Sequence, residues 1–146
     1  MKTLRTFIVD TNVLVAGLLS VQSESPTVKI VDAMLEGRLI FVLSLDLLRE
    51  YRSVLLRPKL SQLHGLQEQE VDQLLAELTG NAVFHETIAE SVVSAPDSGD
   101  DHLWNLLATA PEAILVTGDR LLLENPPAGC SVISPASCVA LCHEEF

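Results

Sequence analysis

The chain has 146 residues, 48% of them hydrophobic and only 4% aromatic, and carries a formal net charge of -11. That length supports one core burying about two-thirds of the unfolded surface, and a core of Leu, Val, Ile and Ala suits helices on a parallel sheet and disfavours an all-β fold. The charge argues against nucleic-acid affinity built on surface cations alone, and no uninterrupted apolar run approaches the ~20 residues needed to span a membrane.

In chain order, Thr6 to Val9 is a short apolar run that stops at Asp10, and a helix is expected from about Asn12 to Leu19. Pro26 opens a second helix that puts Val28, Val31, Met34 and Leu35 on one face and ends at Gly37. Leu39 to Leu43 predicts a buried strand, and Ser44 is a good N-cap for a helix running to about Arg57, where Pro58 prevents continuation. After a polar connection, Gln67 to Leu78 predicts an acidic amphipathic helix ending at Gly80, followed by a short strand at Ala82 to Phe84. Pro96, Ser98 and Gly99 mark a loop before the helical spacing of Leu103, Trp104, Leu106, Leu107 and Ala110. Ala113 to Val116 predicts a strand, Leu121 to Leu123 a short apolar segment, Val132 and Ile133 a last strand, and Ala136 to Leu141 a terminal helix.

This alternation predicts a single α/β domain over residues 1–146, with helices on both faces of a parallel sheet. Ligands of such sheets bind beyond the carboxyl ends of the strands. Asp10 and Asp119 each follow an apolar strand, so two acids far apart in sequence are expected to converge there.

The charge is unevenly distributed. Up to Leu60 there are eight basic and six acidic residues; from Ser61 onward Arg120 stands against fourteen acids. Only the first part meets phosphate comfortably, and most of the later carboxylates read as solvated surface. Cys130, Cys138 and Cys142 are odd in number and lack a Cys-x-x-Cys spacing, which disfavours zinc and fits reduced thiols. His143 is a poor partner for a catalytic thiol. Lys2 and Arg5 before an apolar stretch imitate a signal peptide, but Asp10 and Asn12 interrupt it, and we expect a soluble, cytoplasmic protein.

Four acidic positions carry the chemistry. Hard divalent cations want oxygen ligands, and Mg²⁺ is held by a few carboxylates while keeping several waters. Asp10, at a strand-to-helix junction, fits a ligand and a helix cap equally well. Glu50 lies beside the apolar stripe of Leu47, Leu48, Tyr51, Val54 and Leu55 at about 100° per residue. Arg57 projects from nearly the same side and Asp46 is a helical neighbour, although from position alone an ordinary surface Glu is the favoured reading. Asp97, Asp100 and Asp101 precede a helix, where Ser98 or Asp100 serves as cap; three acids within five positions exceed what a cap requires and repel one another without a cation. Thr117-Gly118-Asp119-Arg120 reads either as a turn or as a second strand-end acid.

Together these residues resemble a known family. Phe7-Ile8-Val9-Asp10-Thr11-Asn12-Val13-Leu14 resembles the opening of PIN domains, and Ile114-Leu115-Val116-Thr117-Gly118-Asp119-Arg120-Leu121-Leu122 their late strand-turn signature. Ser44 to Lys59 resembles the helix carrying the family's Glu, and Asp97-Ser98-Gly99-Asp100-Asp101-His102-Leu103 its acidic helix start. The resemblance implies a three-layer α-β-α fold around a mostly parallel sheet of four to five strands. It implies Mg²⁺ or Mn²⁺ on Asp10, Glu50, Asp101 and Asp119, with Asp101 preferred to Asp100 for its distance from Asp119. Gly99 stands where relatives commonly have a further acid, which leaves Asp97 and Asp100 as sharers of the ligation. Asn12 and Thr117 are implied as supporting or substrate-orienting groups. Apart from the resemblance, Arg57 and Arg120, with Arg49, Arg52 and Lys59, are candidates for phosphate contact, although solvated helix-face charge is the favoured reading of any one of them.

The implied activity is metal-dependent hydrolysis of single-stranded RNA. The nearest likeness is to toxins of bacterial or archaeal toxin-antitoxin pairs, similar to VapC toxins, which implies a homodimer and a cognate antitoxin. Two rivals stand beside it: an inactive PIN scaffold that binds a partner, and a phosphatase forming an aspartyl intermediate at Asp10. For the latter, Asn12 occupies the position where such enzymes carry a second Asp. A phosphorylated receiver domain lacks its late-strand Lys, since no Lys follows Lys59.

Overall fold

The computed structural model describes residues 5–88, 90–91, 93–142 and 146; Lys2 and His143 lie outside them. The chain begins with β1 (Phe7–Val9), three fully buried apolar residues that run directly into α1 (Thr11–Leu19). Next is α2 (Pro26–Leu35), with proline at its first position, where the missing N–H costs nothing. Gly37 then takes φ +70°, a conformation that glycine adopts without strain. Then come β2 (Val42–Leu43) and α3 (Leu45–Leu55), whose N-cap Ser44 accepts from Leu47 N at 3.1 Å.

The segment expected to be a polar connection is partly helical. Pro58 ends α3 but opens α4 (Pro58–His64), because a proline forbidden inside a helix is welcome at its start. A capping box between Gln67 and Glu70 starts α5 (Glu68–Asn81), which runs through Gly80 instead of stopping there. Asn81 donates to the Met34 and Leu35 carbonyls at 3.0 and 2.9 Å, and this anchor to the end of α2 outweighs the weak helix preference of glycine. The chain continues through β3 (Val83–Phe84), a 3-10 turn at Ser98–Asp100, α6 (Asp101–Thr109), β4 (Ile114–Val116), α7 (Arg120–Glu124), β5 (Ser131–Ile133) and α8 (Pro135–Leu141).

Among the described residues all strand pairs are parallel, and the α/β class expected from the sequence holds. The strand count needs correction. Instead of one sheet of four to five strands, a three-stranded sheet of order β1-β4-β5 stands beside a two-stranded sheet of β2 and β3. They touch at the Phe7–Phe41 bridge, where Phe7 N donates to the Ile40 carbonyl at 2.9 Å. Successive strands are rotated by twist, and strands two or three residues long have too few rungs to continue the ladder across that gap.

The topology has one decisive feature. From β1 the chain moves outward on one side to β2 and β3, then crosses to the other side for β4 and β5. The crevice beyond the ends of β1 and β4 is therefore a topological switch point, where open α/β sheets bind ligands. The core beneath is mainly aliphatic, with Trp104, Tyr51, Phe7 and Phe41 its buried aromatic residues. The helices approach closely: a Cβ on Gly17 of α1 would lie 2.5 Å from Val31 Cγ2 and 2.7 Å from the Thr27 carbonyl oxygen of α2. Among the described residues, no helix is long and apolar enough to cross a membrane.

Candidate metal centre

Asp10, Thr11, Ser44 and Thr117 are the buried polar residues among those described, and three of the four meet at the switch point. Asp10 leaves β1 with only 4% of its surface exposed. Its backbone N–H donates to Val116 of β4 at 2.9 Å, so the ends of the two strands are tied together. Asp10 Oδ1 accepts from Thr11 N at 2.7 Å, and Oδ2 from Thr117 Oγ1 at 2.8 Å and Asn12 Nδ2 at 3.1 Å. Burial pushes its carboxyl pKa up despite these donors, and the Glu50 charge adds to the effect. The position does both things its sequence allowed: Asp10 caps α1 and faces the crevice.

Asn12 and Thr117 fasten the opposite wall. Asn12 Oδ1 accepts from Gly118 N at 2.9 Å, and Thr117 Oγ1 accepts from Asp119 N at 3.0 Å. Asp119 caps α7 through Leu121 N at 2.9 Å, which fixes its side chain on the crevice rim.

Glu50 arrives from the inward side of α3. Thr11 Oγ1 donates to its Oε2 at 2.6 Å, linking it to the residue next to Asp10. His102 Nε2 lies 3.3 Å from the same oxygen. The two groups form a charge pair, whereas Nδ1 of His102 is buried without a partner among the described residues. His102, then the Thr11 hydroxyl, hold the Glu50 carboxyl below its ordinary pKa. Burial works against the charged imidazole, but Glu50 outweighs it and raises the His102 pKa.

Asp10, Glu50, Asp100 and Asp119 all line one cavity of about 470 Å³, with Thr11, Asn12 and Arg57. Asp100, Glu50 and His102 each offer a ligand atom within 4.8 Å of the others. The Asp100 carboxyl is pushed up to about 6, first by burial and then by the charges of Asp10, Glu50, Asp97 and Asp119. A cation among these groups would relieve that repulsion, and the oxygen-rich donor set fits Mg²⁺ or Mn²⁺.

At the acidic helix start, Asp101, preferred as a ligand from the resemblance, accepts from Ala95 N at 2.9 Å, and it is Asp100 that lines the cavity. Asp97 accepts from Gly99 N at 2.9 Å and shapes the turn, acting on the site through its charge. Neither Ser98 nor Asp100 caps α6 with its side chain. Of the expected phosphate contacts, Arg57 lines the cavity. Arg52 pairs with Glu68 and Asp72, and Arg120 with Glu124 on the surface.

His102 had no role in the sequence reading. Residues two apart on a regular helix point about 200° from each other, so Asp100 and His102 were not expected to share a site. The passage from the 3-10 turn into α6 between them brings both to Glu50.

The family model described as a PIN domain matches residues 6–121. No curated protein matches the chain.

Proposed function

The chain belongs to the PIN-domain family, and from this premise we propose that it is a metal-dependent endoribonuclease hydrolysing single-stranded RNA. The observation that carries this reading is the convergence of Asp10, Glu50, Asp100 and Asp119 on one crevice at the β1–β4 switch point. These four are the proposed metal-binding side chains, for Mg²⁺ or Mn²⁺. Nuclease activity is the typical work of the family, and a nest of carboxylates is suited to it only with a cation present.

The bound ion supplies Lewis acidity toward the phosphodiester and an acidified water. The protein supplies rigidity. Thr11, Asn12 and Thr117 hold the Asp10 oxygens, and Thr11 also holds Glu50, so the acids keep their separation without reorganising. Arg57 on the cavity wall offers a guanidinium to an incoming phosphate. With few other cations nearby, RNA binding should be weak and salt-sensitive.

Within this reading the protein acts in the cytoplasm as a single-domain homodimer, and is the toxin of a toxin-antitoxin pair restrained by a cognate antitoxin. These further roles rest on family likeness. The central test is cleavage of defined single-stranded RNA by purified protein with Mg²⁺, Mn²⁺ or chelator. Cleavage should require metal and be lost in Asp10→Asn and Asp119→Asn with the fold retained. Unchanged cleavage in those folded variants would remove the proposed site. Phosphate trapped on Asp10 would mean a phosphatase instead, and metal binding without cleavage of any RNA a binding scaffold.

A further inference from the structure

The metal centre of the proposed function is an all-oxygen site if only its carboxylates are counted. His102 changes that. Its ring is largely buried, at 16% side-chain exposure; Nε2 is paired with Glu50 and Nδ1 has no partner among the described residues. Buried polar atoms are nearly always satisfied, so an imidazole with one nitrogen unpartnered and the other set among carboxylates calls for an explanation. A neutral imidazole offers one N–H and one lone pair, so Nε2 can exchange its charge contact with Glu50 for a cation that the two groups then share.

The spacing suits such a cation. Two ligands ~2.1 Å from an octahedral ion and at right angles to each other are about 3 Å apart. Nε2 of His102 lies 3.3 Å from Glu50 Oε2, and ligand atoms of His102, Glu50 and Asp100 fall within 4.8 Å of one another. His102 is not part of the cavity lining and meets the site through Glu50 and Asp100, which are. Carboxylates alone suit Mg²⁺, whereas an imidazole nitrogen favours transition-metal ions.

We propose that His102 is a nitrogen ligand of the metal centre and biases it toward Mn²⁺ and related transition-metal ions over Mg²⁺. The inference rests on the metal site proposed above and names one more ligand in it. It predicts at least about tenfold tighter binding of Mn²⁺ than of Mg²⁺. His102→Gln should weaken Mn²⁺ by about tenfold or more while leaving Mg²⁺ within about threefold.

The test is titration calorimetry with each ion alone on the full chain, together with pulsed electron paramagnetic resonance of the Mn²⁺-loaded wild type. An imidazole ligand gives nitrogen hyperfine coupling, which should vanish in His102→Gln. Bound Mn²⁺ without nitrogen coupling would overturn the proposal and leave the carboxylate site standing. Coupling that persists in the variant, or equal weakening of both ions, would also overturn it, the latter by making His102 a support for Glu50. Failure of the wild type to bind either ion would remove the metal centre itself. If the variant does not fold by circular dichroism, the wild-type resonance still decides.

Discussion

The hydroxyl of Tyr51 donates to the carbonyl of Val9, the residue immediately before Asp10, and both residues are fully buried. Tyr51→Phe removes one oxygen and leaves the ring in place. The carbonyl then sits in an apolar core without this partner, and an unsatisfied buried acceptor costs about 1–3 kcal/mol. In a chain of this size a mid-range loss of ~2 kcal/mol lowers the melting temperature by about 4–8 °C. Burial, reinforced by Asp10 and Glu50, raises the Tyr51 pKa well above its ordinary value, so the phenol remains a donor at neutral pH. Asp10 keeps its bonds to Thr11, Asn12 and Thr117, so its carboxylate should hardly move. Thermal unfolding with and without Mn²⁺ should therefore shift in parallel. A loss below ~0.5 kcal/mol, within the range of ordinary surface changes, would refute the idea that this bond supports the end of β1. Loss of the Mn²⁺ response alone would refute the independence of Asp10.

Five further substitutions have outcomes that follow from the same geometry. Gly17→Ala gains up to about 1 kcal/mol of helix propensity. It also drives a methyl into Val31 and the Thr27 carbonyl, so the net effect should be a lower denaturant midpoint, with overpacking costing about 1–3 kcal/mol. Asp100→Asn should raise the melting temperature of metal-free protein at neutral pH, because folding disfavours the anion whose pKa is raised to about 6, and it should abolish stabilisation by Mn²⁺. Asp101→Ala should do the reverse, losing about 1–2 kcal/mol with the Ala95 contact while keeping the metal response. Arg57→Ala should weaken RNA binding in a salt-dependent filter assay, whereas Arg52→Ala, which removes two exposed ion pairs, should leave RNA binding unchanged and hardly shift the melting temperature.

The sequence was most legible where one short-range rule acted alone. Ser44 caps α3, Gly37 follows α2 with positive φ, and the strands ending near Asp10 and Asp119 appear with the acids at their ends. It was less legible where distant parts of the chain decide a local outcome. Gly80 looks like a stop until Asn81 is seen bonded to the end of α2. Pro58 ends one helix and begins another, and which role dominates depends on where the next turn finds support. Asp101 and Asp100 look alike in the sequence, yet the N–H of Ala95, six residues upstream, engages the former while the latter lines the cavity. Counting acids cannot reveal that competition. Nor does helical spacing reveal His102, since the 3-10 turn that redirects Asp100 is set by Asp97 and Gly99.

Pairing of Phe7 with Ile114 makes the first strand wait for a partner 107 residues later. Such long-range closure is slow to form. Asp119, an acid of the crevice, lies beyond that partner strand. During synthesis the chain therefore carries Asp10 and Glu50 long before Asp119 can join them, and the acidic crevice cannot close until β4 has been made.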